Sequence, residues 1–124
     1  MRSQGHRKEI MAEDWTPAGA PSTYLATASN DGTVRVWDGW TGACASVLSG
    51  HREPVYGVAF SPCGRHVATG GFDGQVLVWS ARGGAQERAY KAGTRVYQVA
   101  WHSSGNFLAA STADGSVHVL DMRA

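Results

Sequence analysis

An all-β fold built from repeated units of four antiparallel strands is what this sequence predicts, and three observations predict it. The first is a phrase written three times: SNDGTVRVWD at 29–38, GFDGQVLVWS at 71–80 and TADGSVHVLD at 112–121. The second is its period. Asp31 to Asp73 is 42 residues and Asp73 to Asp114 is 41; Trp37 to Trp79 is 42 and Trp79 to Leu120 is 41. The third is the pattern inside the period, where short alternating apolar runs are separated by turn residues and no helix-period stretch of useful length competes.

Each unit opens on an apolar strand. VYGVAFSPCG starts at Val55 and VYQVAWHSSG at Val96, 41 residues later; a weaker copy, IMAEDWTPAG, starts at Ile10, 45 before Val55. The extra length sits in one loop insertion at Ala20-Pro21-Ser22: Gly19 to Leu25 is six residues, where Gly64 to Val67 and Gly105 to Leu108 are three. Thr-Pro-Ala-Gly and Ser-Pro-Cys-Gly read as turns after the first strand. The second strand runs into Asn30-Asp31-Gly32, Asp73-Gly74 or Asp114-Gly115, where Asx-Gly supplies the positive φ that a tight hairpin needs. TVRVW, QVLVW and SVHVL alternate and then end apolar, as third strands. In the middle unit the four strands are expected near 55–60, 66–70, 75–80 and 85–90. Four strands every 41 to 45 residues is the period of a β-propeller blade. A blade cannot bury both faces alone, so blades stack side by side about an axis. The chain divides into a short tail at 1–4, a first repeat at 5–49, a second at 50–90 and a degenerate third at 91–124, which stops after its third strand and lacks an outer one.

Composition narrows the function classes. The 124 residues suffice for one modest domain, burying about two thirds of the unfolded chain's surface. Lysine and arginine number 11 against 10 acids, and apart from Arg7-Lys8 they form no block, so sequence-specific nucleic-acid binding has little support. Cys44 and Cys63 belong to no CxxC pair and imply no disulfide framework, which fits a reduced, intracellular setting. MRSQGHRKEI has no apolar core and is not a signal peptide; the apolar runs are too short to span a membrane. His6, His51, His66, His102 and His118 show no ligand spacing, and no phosphate-binding loop is present. No cofactor is expected.

The residues also carry a resemblance. Gly5-His6 with Trp37-Asp38, and Gly50-His51 followed after 27 residues by Trp79-Ser80, resemble the "GH … WD" frame of WD-repeat proteins across nearly the whole chain. HREPVYGVAFSPCGRHVATGGFDGQVLVW, the ending ADGSVHVLDMR, HRKEI and the insertion before Leu25 are similar to the last blades of the transducin β-like co-repressor subunits. In WD-repeat blades a histidine, a serine or threonine, an aspartate and a tryptophan form a hydrogen-bonded tetrad. Carried over by position, these are His6, Thr27, Asp31 and Trp37, then His51, Thr69, Asp73 and Trp79, with Ser29 a substitute for Thr27. The chemistry suits the role: histidine donates from one nitrogen and accepts at the other, and a buried indole N–H needs a partner. Hydroxyl, histidine and aspartate also make up a catalytic triad. Here they recur at repeat spacing with no nucleophile elbow, so a structural role is expected. In the third repeat Ala92, Ala110 and Leu120 replace three members and only Asp114 remains. That unit should rely on Val99, Trp101, Leu108, Val117 and Val119. Glu13 stands where Val58 and Val99 stand, which makes the first strand frayed or exposed. Trp40 is expected to be exposed in its turn.

The expected function is a non-enzymatic protein-interaction scaffold. The resemblance implies a nuclear subunit of a histone-deacetylase co-repressor complex, a propeller of seven blades, and surfaces for histone tails and complex members; the family's N-terminal helical docking domain is not found in these residues. The alternatives are a WD-repeat adaptor of a ubiquitin-ligase or signalling complex, and a propeller hydrolase. Contacts are expected on the rim that carries the turn aspartates and the loops entering each first strand, with Glu9, Asn30, Glu53, Tyr56, Phe72, Arg95 and Tyr97 as candidates; aromatic and arginine side chains are enriched at binding hot spots. Phe72 has no evident packing reason beside its turn aspartate. Three repeats are too few to close a propeller, so an open arc with exposed apolar blade faces, prone to self-association, is expected.

Overall fold

The computed structural model describes residues 5–123; the expected tail at 1–4 lies outside them. The described residues form eleven strands. These are β1 (Ile10–Trp15), β2 (Tyr24–Ser29), β3 (Val34–Asp38), β4 (Cys44–Leu48), β5 (Val55–Phe60), β6 (His66–Gly71), β7 (Gln75–Ser80), β8 (Gln86–Lys91), β9 (Val96–Trp101), β10 (Phe107–Thr112) and β11 (Val117–Asp121). They make three antiparallel sheets in sequence order, two of four strands and one of three. The sheets are consecutive propeller blades and do not close into a ring. In the middle blade the fourth strand begins one residue later than expected, because the Ala85 carbonyl accepts from Ser80 N–H and belongs to the turn.

The hairpin after each second strand is a three-residue loop. Gly32 N–H donates to Ser29 C=O, and Ser29 N–H donates to Thr33 C=O. Only the glycine is left-handed, at φ +84° in Gly32, +77° in Gly74 and +83° in Gly115, and among the described residues no other residue type has positive φ. The Asx residue therefore works through its side chain, as described below, rather than through its backbone.

Alternation along the strands sorts side chains between two seams. Val67, Leu77 and Trp79 of the middle blade join Ala26, Ala28, Val34, Val36 and Leu48 of the first in one buried cluster. Ala68, Val76 and Val78, on the opposite face, join Val96, Val99, Leu108 and Ala110 of the third. Asp14 ties the first seam, accepting from Phe60 N–H at 2.9 Å. One expectation about the core needs correction. Val117 and Val119 do not pack: they are 68% and 66% exposed. They occupy the register positions of Val76 and Val78, so they point to the face of the third blade that no described strand covers. Glu13 is exposed, as expected; it pairs with Thr27 on the face of the first blade that no described strand covers, and Trp15 on the same strand is exposed as well. Trp40 is 81% exposed, as expected.

The first strand of every blade carries a bulge. Ile10 pairs with Ser29 and Ala12 with Ala28; Val55 pairs with Gly71 and Gly57 with Gly70; Val96 pairs with Thr112 and Gln98 with Ser111. Met11, Tyr56 and Tyr97 are the extra residues, and a bulge re-aims the side chain it carries.

Candidate functional site

The site is built from two layers, a hydrogen-bonded frame inside the blades and a cluster of rings at their rim. In the first blade His6 Nδ1 lies 3.0 Å from Asp31 Oδ2 and its Nε2 lies 2.7 Å from Thr27 Oγ1; Trp37 Nε1 donates to the same hydroxyl at 2.9 Å. In the second, His51 Nδ1 lies 3.0 Å from Asp73 Oδ2, His51 Nε2 lies 2.7 Å from Thr69 Oγ1, and Trp79 Nε1 donates to Thr69 at 3.0 Å. One proton order satisfies every group. Indole N–H donates to threonine oxygen, threonine O–H donates to histidine Nε2, and Nδ1–H donates to the carboxylate. This order keeps His51 neutral. Burial pushes His51 below its ordinary value, opposed by the Asp73 charge. Burial alone would raise Asp73, but His51 and the N–H groups of Gln75 and Arg52 outweigh it and hold the carboxyl low. Asp31 is held low in the same way, with the Thr33 hydroxyl and the backbone N–H groups of Thr33 and Arg7 outweighing burial. Ser29 is not a substitute for Thr27: its hydroxyl donates to the carbonyls of Glu9 and Lys8, at the level of the turn.

The aspartate fixes the turn, and the turn fixes the rim. Phe72 N–H donates to Pro54 C=O at 2.9 Å while Asp73 accepts from Gln75 N–H. The Phe72 ring then lies edge-on to Tyr56, with centroids 4.1 Å apart at 72°, and to Tyr97, 5.7 Å away at 79°. Tyr56 and Tyr97 stand nearly parallel, 6.3 Å apart at 18°, each raised by its bulge. The Arg95 guanidinium carbon sits 4.7 Å from the centre of the Phe72 ring, a cation–π contact. Phe72 thus has packing partners that its sequence context does not reveal, and it bridges the second and third blades. Four of the seven rim candidates are in direct contact. Glu9 and Asn30 meet at the first blade through Asn30 N–H and Glu9 C=O at 2.9 Å, and Asn30 Oδ1 is buried without a partner. Glu53 is exposed, its backbone carbonyl against Gly32.

A family model, WD domain, G-beta repeat, matches residues 2–38, 42–80 and 86–121. The chain belongs to the WD-repeat family. Among curated proteins, this WD-repeat chain is 42% identical over 99 residues to F-box-like/WD repeat-containing protein TBL1X of Mus musculus, covering 80% of the chain and 19% of the relative. It is 42% identical over 101 residues to F-box-like/WD repeat-containing protein TBL1Y of Homo sapiens, covering 82% and 19%. It is also 42% identical over 99 residues to WD40 repeat-containing protein HOS15 of Arabidopsis thaliana, covering 80% and 16%. The likeness to the transducin β-like subfamily is borne out, and the chain spans less than a fifth of these relatives' length.

Two parts of this WD-repeat rim escaped the sequence reading. Met11 is the bulge residue of the first blade and is exposed; its alignment with Tyr56 and Tyr97 in the repeated first-strand phrase was the available signal. Arg52 and Lys91 line one groove beside the second turn, and no spacing rule joins residues so far apart.

Proposed function

We propose that this WD-repeat chain is a non-catalytic protein-interaction scaffold whose contact surface is the rim centred on Tyr56, Phe72, Arg95 and Tyr97, and that it serves a nuclear co-repressor complex containing a histone deacetylase. The observation that carries the reading is the ring cluster itself. Three aromatic rings from two blades are gathered at bulge and turn positions, outside both buried clusters. Large, rigid rings with one wet side are what binding hot spots use. The likeness to TBL1X, TBL1Y and HOS15 supports the choice of complex.

The hydroxyl, histidine and aspartate groups support structure rather than catalysis. Thr69 is wholly buried and Thr27 nearly so, and each hydroxyl already serves an indole and an imidazole. A nucleophile must reach its substrate. A broad fluorophosphonate probe is expected to leave both threonines unlabelled.

The test is affinity capture from nuclear extract with the wild-type chain, Tyr56→Ala and Phe72→Ala, read by immunoblot for deacetylase subunits. Capture by wild type and its loss in both variants, with folding unchanged by circular dichroism, is the expected result. Capture that survives in both variants removes the rim from the site. Recovery of ubiquitin-ligase subunits in place of deacetylase subunits assigns the scaffold to a different complex.

A further inference from the structure

We infer that the rim beside the second blade fits an acidic segment of a partner protein, with a carboxylate seated between Arg52 and Lys91 and an apolar side chain resting on Phe72, Tyr56 and Tyr97. The inference rests on the reading of the rim as a contact surface and adds the chemistry of what it contacts.

The turn at 71–75 has a different surface on each side. On one side are the three rings. On the other is a groove of about 480 Å³ lined by Arg52, Asp73, Gly74, Gln75, Lys91 and Gly93. Gly74 and Gly93 place no side chain in it. Arg52 and Lys91 are exposed, and neither side chain takes part in an ion pair among the described residues; Arg52 reaches Asp73 only through its backbone N–H. Two cations thus share a groove with a single carboxylate in its lining, which leaves the groove a net positive charge. The carboxylate of Asp73 lines the same groove, but its oxygens are already taken by His51 Nδ1, by the N–H groups of Arg52 and Gln75, and by the Gln75 amide. Arg95, over the Phe72 ring, places a third cation on the far side of the turn. Glu53 follows Arg52 in the same loop and is exposed, outside the groove lining.

A carboxylate between Arg52 and Lys91 gains charge-assisted hydrogen bonds, with arginine's fork able to engage both oxygens. A basic segment in the same place meets two cations against one carboxylate. A nucleic acid needs a track of cations along its phosphates, whereas this groove is short and the chain's formal charge is +1. An acidic peptide with one apolar residue beside its acids matches both surfaces.

The experiment is fluorescence anisotropy with the full chain and three labelled probes: the peptide Gly-Asp-Glu-Leu-Glu-Asp-Gly, the same peptide with lysine at every acid, and an oligo-dT strand. Binding of the acidic peptide alone is expected, weakened about tenfold by Arg52→Ala or Lys91→Ala and weakened by added salt. The double variant Arg52→Glu with Lys91→Glu should turn the preference toward the lysine peptide. Phe72→Ala should weaken binding without changing its salt dependence. Equal or tighter binding of the lysine peptide or the oligonucleotide to wild type overturns the inference, as does acidic-peptide binding indifferent to Arg52 and Lys91. If Phe72→Ala abolishes deacetylase capture while the acidic peptide does not bind, this inference falls and the proposed function stands. If the acidic peptide binds as described but no deacetylase subunit is captured, the reverse holds.

Discussion

Tyr90 and His118 meet across the seam between the second and third blades, hydroxyl to Nδ1 at 2.8 Å. The same two register positions in the preceding seam hold Leu48 and Leu77, both buried in one apolar cluster. A hydrogen bond has replaced a hydrocarbon contact, and Tyr90 remains 36% exposed where Leu48 is wholly buried. Removing one partner of such a pair strands the other, whereas replacing both with apolar groups is neutral or better. Tyr90→Phe and His118→Leu should each lose about 0.5–1.5 kcal/mol. The double change to leucine at both positions should be at least as stable as wild type. Urea midpoints of the four proteins decide it: a double variant weaker than either single one would mean that this seam needs its polar pair.

The third blade has lost its tetrad, and the loss sets a ranking. Trp79 is 4% exposed and donates to Thr69, so Trp79→Ala removes a buried ring and strands a hydroxyl. About 3–5 kcal/mol is expected. Leu120 holds the matching position, opposite Leu108 as Trp79 is opposite Val67, but it is only partly buried and carries no polar partner. Leu120→Ala should cost less than about 2 kcal/mol, below the range for a fully buried leucine. Denaturant unfolding in which Leu120→Ala proves the more damaging would overturn the equivalence of the two positions.

Strand order and turn positions were legible because alternation and Asx-Gly pairs recur at one spacing; His66–Gly71 and Gln75–Ser80 fall within a residue of expectation. Val117 and Val119 mark the limit of that signal. Alternation says that a residue faces a seam, and says nothing about whether the seam is covered. Thr27 and Ser29 both offer hydroxyls two residues apart, and only the cross-strand register, with Ser29 opposite Ile10 at the turn, assigns the histidine to Thr27. The contact of Phe72 with Tyr56 and Tyr97 depends on two bulges, which leave no mark on residue spacing.

Gly70 illustrates a requirement for space that residue identity alone does not explain. Its φ is not in the left-handed region, so backbone freedom is not the reason for glycine. A Cβ there would collide with Cγ1 of Val96 and approach Cγ1 of Val99 to 3.2 Å, both in the buried core of the next blade. Gly70→Ala should therefore cost about 1–3 kcal/mol through overpacking of the second seam. In the first blade the matching residue is Ala28, which is fully buried and fits. Thermal melting of Gly70→Ala at or above the wild-type midpoint would show that the blades separate easily to admit a methyl group.

The histidine–aspartate pair predicts a pH profile whose sign can be worked out. Burial holds His51 below its ordinary value, so the folded chain keeps it neutral while the unfolded chain protonates it near pH 6.5. The unfolded state then binds more protons, and stability must fall as pH drops through about 6.5 toward the folded value. Asp31 and Asp73 are held below the ordinary carboxylate range. Their contribution is complete above about pH 3.9 and is lost as pH falls through their folded values. Two declines should appear, one beginning near pH 6.5 and one below about pH 4, with a plateau above pH 7. His51→Gln should lower stability at pH 7, because it disturbs Thr69 and Asp73, and should flatten the first decline. Urea midpoints between pH 5 and pH 8 make the comparison. If the wild-type chain instead gains stability as pH falls from 7 to 5, the folded pair is an imidazolium–carboxylate ion pair, and the neutral proton order running from Trp79 through Thr69 and His51 to Asp73 is wrong.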